Sequence, residues 1–185
     1  MGIIAQLNIE AFKLADSVAS PAMNSAMHVL TESFLLVLPL IVIYMLLKRD
    51  TNVFALVAAG ILLYIVSDTL KFIVKEPRPC NVPELSWINA PYCESSYSFP
   101  SNHASVLTGL ALFMGKYKYV RIAYVIWLVA VLFSRVYLGL HYFTDIIAGA
   151  TISLIISYFI YAYRNAFAKL GIRIFPFLKR WMKVN

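Results

Sequence analysis

His141 and Asp145 stand four residues apart, a spacing at which one turn of helix sets an imidazole beside a carboxylate. A carboxylate on one ring nitrogen fixes the tautomer, orients the ring and stabilises positive charge on it, which leaves the other nitrogen free as a nucleophile. Alone, such a pair could equally be a structural bond. Here it has company: Pro100-Ser101-Asn102-His103 brings a second imidazole and a hydroxyl, and Lys71, Arg78 and Arg135 bring three cations. Arginine suits bidentate contact with phosphate oxygens and lysine adds a point charge. Together these groups suit holding a phosphate and attacking it.

The chain that must position them is unusually apolar. Of its 185 residues 61% are hydrophobic and 14% charged, against about 25% charged in a soluble domain. This predicts an all-α, polytopic membrane bundle of five to six transmembrane helices in one domain, 1–185, with no internal repeat or low-complexity stretch. Met1–Asn8 is too short an apolar run for a secretory signal. Five hydrophobic segments approach the length of a bilayer crossing: about Ser33–Leu47 (starting as early as Met27), Val53–Val74, a short Ala104–Met114, Ile122–Phe133 and Ile146–Tyr163. Residues 1–26 are expected at the interface, because Ile9, Phe12 and Leu14 alternate with Glu10, Lys13 and Asp16 as in an amphipathic surface helix. A sixth crossing there would carry three charges into lipid.

Charge sets the expected orientation. The net charge is +7, but no soluble basic domain exists to bind nucleic acid. With five crossings, Lys48, Arg49, Lys116, Lys118, Arg121, Arg164, Lys169, Arg173, Lys179, Arg180 and Lys183 share one side with a single acid, Asp50. By the positive-inside rule that side is cytoplasmic. The three polar clusters then face outward, and the basic tail 165–185 lies at the inner leaflet or in the cytoplasm. Polar clusters near lipid are costly and mark function.

Several residues are left with plainer expectations. Cys80 and Cys93 share the long outer loop and are either paired or free; an oxidising compartment favours pairing. No four-ligand metal spacing occurs, and no cofactor is implied. Asp68, one turn before Lys71, is expected to pair with it; Glu76 and Glu94 are expected to be loop residues, and His28 to lie outside the site. Ser101 or Asn102 can cap the helix after Pro100, whose free N–H groups then make an anion site.

The order and spacing Lys71-x6-Arg78-Pro79, Pro100-Ser101-x-His103 and Ser134-Arg135-x5-His141-x3-Asp145 closely resemble the three-part signature of the type-two phosphatidic-acid phosphatase superfamily. That superfamily includes membrane lipid-phosphate and prenyl-diphosphate phosphatases, glucose-6-phosphatases and vanadium haloperoxidases. One position departs: Asn102 stands where glycine is usual, which bears on the subfamily. The resemblance implies that His141 attacks phosphorus, Asp145 orients it, and His103 protonates the leaving group and then activates water. It implies that Lys71, Arg78, Ser101, the Asn102 amide and Arg135 hold the phosphate oxygens without metal. The expected substrate is a membrane lipid phosphate, first a polyprenyl diphosphate such as undecaprenyl diphosphate, with phosphatidylglycerophosphate, phosphatidic acid and lipid A phosphate as alternatives. A phosphotransferase using the same phosphohistidine is a second enzyme reading. A transporter is disfavoured because the charges gather at segment ends rather than at the midplane.

Overall fold

The structure, a computed structural model, describes residues 2–85 and 92–182. Among these residues it is entirely helical: α1 (Ile3–Asp16), α2 (Pro21–Glu32), α3 (Phe34–Leu47), α4 (Asn52–Val74), α5 (Asn102–Leu110), α6 (Lys118–Tyr137), α7 (Phe143–Ala162), α8 (Arg164–Ile174) and α9 (Phe177–Met182), with short 3-10 turns at Pro79–Asn81, Pro83–Leu85 and Ala111–Met114. Among the described residues four segments are long and apolar enough to cross a membrane: Pro21–Leu47, Asn52–Asn81, Lys118–Tyr137 and Phe143–Ala162.

The first of these starts earlier than its hydropathy suggests. Ser20 caps α2 by accepting from the Met23 amide, and Pro21 occupies the first turn, where its missing N–H costs nothing. The segment breaks at Ser33, whose hydroxyl bonds back to the Leu30 carbonyl at 2.6 Å and accepts from the Trp127 indole. The short third segment remains short. The α5 helix passes into the turn Ala111–Met114, together about 21 Å long at 1.5 Å per α and 2.0 Å per 3-10 residue. It runs through the bundle interior, with Ala104, Leu107, Leu110, Phe113 and Met114 all buried.

The seam that fixes α5 is its contact with α7. Asp145, Gly149, Ser153 and Ser157 recur every four residues on α7, and all are buried. Small side chains let helix backbones approach closely in lipid, where no hydrophobic force drives them together. At Gly149 the approach is so close that a Cβ would come 2.9 Å from the Ser101 carbonyl and 2.9 Å from the Ser105 hydroxyl.

The two ends of the bundle differ. At one end buried Asp50, in the α3–α4 turn, accepts from Tyr117 at 2.9 Å and pairs with Lys116 at 2.8 Å. There, too, Arg49 stacks on Trp181 at 4.9 Å. At the other end α1 lies against α6 and α7 through Phe12 and Ala15, with Ile3, Ile4 and Leu14 facing outward. Asn8 clamps the start of α7, donating to the Thr144 hydroxyl and accepting from its amide, both at 3.2 Å. The amphipathic character expected for this segment is thus divided between packing and exposure. All three polar clusters lie at this second end.

Gly149→Ala is expected to push α5 and α7 apart and to destabilise the bundle by about 1–3 kcal/mol. Thermal unfolding in detergent checks this; an unchanged midpoint would show that the seam can relax.

Candidate active site

The α4 helix ends at a left-handed Lys75 (φ 55°), after which the chain leaves the helix and carries Arg78 back over the bundle. The α6 helix ends in a turn through Gly139 (φ 65°), a conformation that glycine adopts without strain. That turn brings Arg135, at the end of α6, and His141, before α7, together: the Arg135 carbonyl accepts from the Leu140 and His141 amides. Ser101 caps α5 by accepting from the Ala104 amide, which sets His103 on the first turn. A disulfide joins Cys80 to Cys93, tying the loop before α5 to the end of the Arg78 segment.

Arg78 and Arg135 are almost completely buried, at 1% and 0% exposure. Arg78 uses its whole guanidinium: Nε donates to the Ser96 carbonyl at 2.7 Å, Nη1 to the Leu140 carbonyl at 2.7 Å, and Nη2 to Ser96 Oγ at 2.8 Å and Glu94 Oε2 at 2.6 Å. Arg135 donates Nη1 to Thr31 at 2.9 Å and Nη2 to Glu94 Oε1, and its buried Nε has no partner among the described residues.

The tautomer of His141 follows from these contacts. Arg78 Nη1 lies 3.2 Å from Nε2, and a guanidinium can only donate, so Nε2 presents its lone pair and Nδ1 carries the proton. Nδ1 faces Asp145 Oδ2 at 3.3 Å. The same carboxylate oxygen accepts from Ser98 Oγ and from the Tyr142 amide. His141 is buried, and burial, reinforced by Arg135, Arg78, Lys71 and His103, holds its pKa well below the ordinary imidazole value. The ring is therefore neutral.

Lys71, also buried, does not pair with Asp68 as its helical spacing suggested. Its ammonium donates to the Tyr97 and Ser98 carbonyls at 2.7 and 3.1 Å, because the returning loop crosses directly above it. Among the described residues the Nε2 of His103 and the Oδ1 of Asn102 are buried without a partner, and the His103 ring stands edge-on to Phe34 at 4.6 Å. His28 lies outside the site, against Tyr92.

Arg78, Arg135, His103, His141, Lys71 and Asn102 all line one cavity of about 510 Å³. From them it continues as an apolar cleft between α3, α4 and α5, walled by Phe34, Leu38, Ile61, Tyr64, Val106 and Leu110. Ser101 and Asp145 stand just behind, both fully buried. The eight residues singled out in the sequence thus converge. Sequence reasoning missed Ser98, Ser96, Thr31 and Glu94; the last was read as an ordinary loop residue and instead bridges both arginines. Among the described residues no group of three or more His, Cys, Asp or Glu is arranged to hold a metal.

The sequence profile of the PAP2 superfamily matches residues 52–169, well over half of the chain and all of the polar clusters. The chain belongs to the PAP2 superfamily. Its relatives include phosphatidylglycerophosphatase B of Bacillus subtilis, 33% identical over 174 residues covering 80% of this chain and 78% of that protein. An undecaprenyl-diphosphatase of Sulfolobus acidocaldarius is 27% identical over 147 residues, covering 77% and 71%. The crystal structure of Aquifex aeolicus LpxE superposes with a TM-score of 0.74 at 24% identity, over 85% of this chain and 96% of that one. A Bacillus subtilis PAP2-type phosphatidylglycerolphosphate phosphatase gives 0.70 at 24% identity over 90% and 88%. At these identities the two structures speak to the fold.

Arg78→Lys keeps the charge but cannot reproduce donors in three directions. The variant is expected to lose phosphatase activity and to unfold at lower temperature, since four loop acceptors lose their partner; phosphate release and a thermal melt report the two effects separately.

Proposed function

We propose that this protein is a metal-independent membrane phosphatase that hydrolyses a lipid phosphate through a phosphohistidine on His141. The observation that carries the reading is the lone pair of His141 Nε2, set by Asp145 on the far side of the ring and lying against Arg78 Nη1, at a cavity lined by His141 and two buried guanidinium groups. A phosphate seated among Arg78, Arg135, Lys71, Ser101 and the Asn102 amide would have its developing charge met by fixed donors, which act most strongly in a site that excludes water. Nε2 forms the bond to phosphorus as the bond from phosphorus to the leaving oxygen breaks, and His103, protonated beside the bound phosphate, gives that oxygen its proton. Water then attacks phosphorus, His103 takes the water's proton, and inorganic phosphate departs from a regenerated imidazole.

The apolar cleft between α3, α4 and α5 supports a lipid substrate, since a tail can lie along it while the phosphate stays at the arginines. A polyprenyl diphosphate is the substrate proposed, in keeping with the undecaprenyl-diphosphatase relative. Phosphatidylglycerophosphate, phosphatidic acid and lipid A phosphate are the competing lipids. We place the site at the outer leaflet, because the opposite end carries Lys48, Arg49, Lys116, Lys118 and the basic α8–α9 tail.

Two measurements test this. Purified protein in detergent with EDTA is expected to release phosphate from one or more of polyprenyl diphosphate, phosphatidylglycerophosphate and phosphatidic acid, and His141→Ala to abolish release. Wild-type turnover by that variant would refute the nucleophile, whereas release only on adding an alcohol acceptor would favour a lipid phosphotransferase. The pH dependence supplies the second. His141 is held neutral below the usual imidazole range, so its proton binds only at lower pH. The acid limb of kcat/KM is expected to follow the substrate's own phosphate ionisation, with no additional group near 6.5, the value of a free imidazole. An enzyme group titrating there would contradict the neutral nucleophile.

A further inference from the structure

Glu94 holds the place that an anion would take. Its carboxylate spans Arg78 Nη2 and Arg135 Nη2, donors of the two buried arginines that line the cavity with His141. Burial works to raise its pKa, but the guanidinium of Arg135, its hydrogen bond and Arg78 outweigh this and hold the carboxyl below the ordinary carboxylate range. It is therefore charged across the neutral range. Its side chain is 33% exposed while both arginines are near 1%, so of the three partners Glu94 is the one that reaches accessible surface. Glu94 directly follows Cys93, which the disulfide to Cys80 tethers two residues from Arg78.

We propose that Glu94 is an internal competitor for the phosphate cradle: its carboxylate occupies the two arginines in the free protein and swings out when a substrate phosphate takes them. This rests on the cradle being a phosphate site, as proposed above. A ligand that must displace a resident group binds with its intrinsic dissociation constant divided by the fraction of protein in which the group is out. If the carboxylate is seated about nine-tenths of the time, every anion binds about 10-fold more weakly than to a vacant cradle. For a tightly held terminal phosphate that loss is tolerable. For the singly charged phosphodiesters that make up the surrounding phospholipid surface, it lifts the dissociation constant towards or above the concentration at which they crowd the site. Glu94 thus sets an affinity threshold that keeps the cradle clear of bulk headgroups. The tether at Cys93 keeps the carboxylate's effective concentration high without fixing it in place.

The test measures inhibition of wild type and Glu94→Gln by inorganic phosphate and by diethyl phosphate, together with KM, in neutral detergent. The expected result is that both inhibition constants and KM fall by the same factor, about 10-fold if the carboxylate is seated nine-tenths of the time. Adding phosphatidylglycerol to the micelles should then inhibit the variant more than wild type. A paired Cys80→Ser, Cys93→Ser variant, which keeps the carboxylate but loosens its tether, should shift both constants in the same direction by less, and serves if Glu94→Gln does not fold. Unchanged or weaker phosphate binding in folded Glu94→Gln would overturn the proposal and make Glu94 a clamp that holds the arginines in position. A phosphate constant that falls much more than the diethyl phosphate constant would also overturn it, because Glu94 would then stay beside the ligand as a repelling charge. If wild type itself binds no phosphate and hydrolyses nothing, the fault lies with the phosphatase reading instead.

Discussion

Two guanidinium groups buried side by side constrain everything around them. Arg78 and Arg135 are almost sealed from solvent, and like charges removed from water repel each other and cost several kcal/mol each unless paired and hydrogen-bonded. The fold meets that cost with the backbone carbonyls of Ser96 and Leu140, the hydroxyls of Thr31 and Ser96, and the Glu94 carboxylate. The disulfide, the left-handed ends at Lys75 and Gly139 and the loop before α5 all serve to bring acceptors to those two side chains. What they leave incomplete, among the described residues, is a buried Arg135 Nε and a buried His103 Nε2 without partners, on two residues that line the same cavity. Stability and ligand affinity are here two sides of one charge balance.

The same balance explains the state of His141, the proposed nucleophile. In many hydrolytic sites a carboxylate raises the basicity of its histidine partner. Around His141 burial and three cations push the other way, and Asp145, itself held by Ser98 and the Tyr142 amide, fixes the orientation of the ring. In the mechanism proposed above, an imidazole kept neutral in a cationic pocket is suited to attack a bound phosphate, because that phosphate also removes part of the repulsion that opposes its charging.

Much of this was legible in the sequence, for a definite reason. In a chain so apolar, each histidine or arginine is conspicuous, and Lys71, Arg78, His103, Arg135, His141 and Asp145 could be read directly. Glu94 could not: it sits in a loop without periodicity, and a lone glutamate between a cysteine and two serines gives no sign of what it faces. Asp68 misled because helix spacing predicted a partner for Lys71 within α4, whereas the loop passing overhead offered two carbonyls. The early start of the first span was obscured by Asn24, Ser25 and His28, which dilute its hydropathy, although Ser20-Pro21 is a recognisable helix start. The stripe Gly149, Ser153, Ser157 was visible as a four-residue period but passed as ordinary membrane helix.

That stripe divides the labour of the molecule. The close seam between α5 and α7 fixes His103 relative to Asp145 and, through the start of α7, His141; the walls of the apolar cleft belong largely to α3 and α4, which carry many outward-facing residues. Variation can therefore accumulate on one pair of helices while the other pair is held nearly invariant by contact distance. A lineage built on this plan is free to drift from one lipid to another, one wall residue at a time, without ever passing through an ancestor that has lost its chemistry.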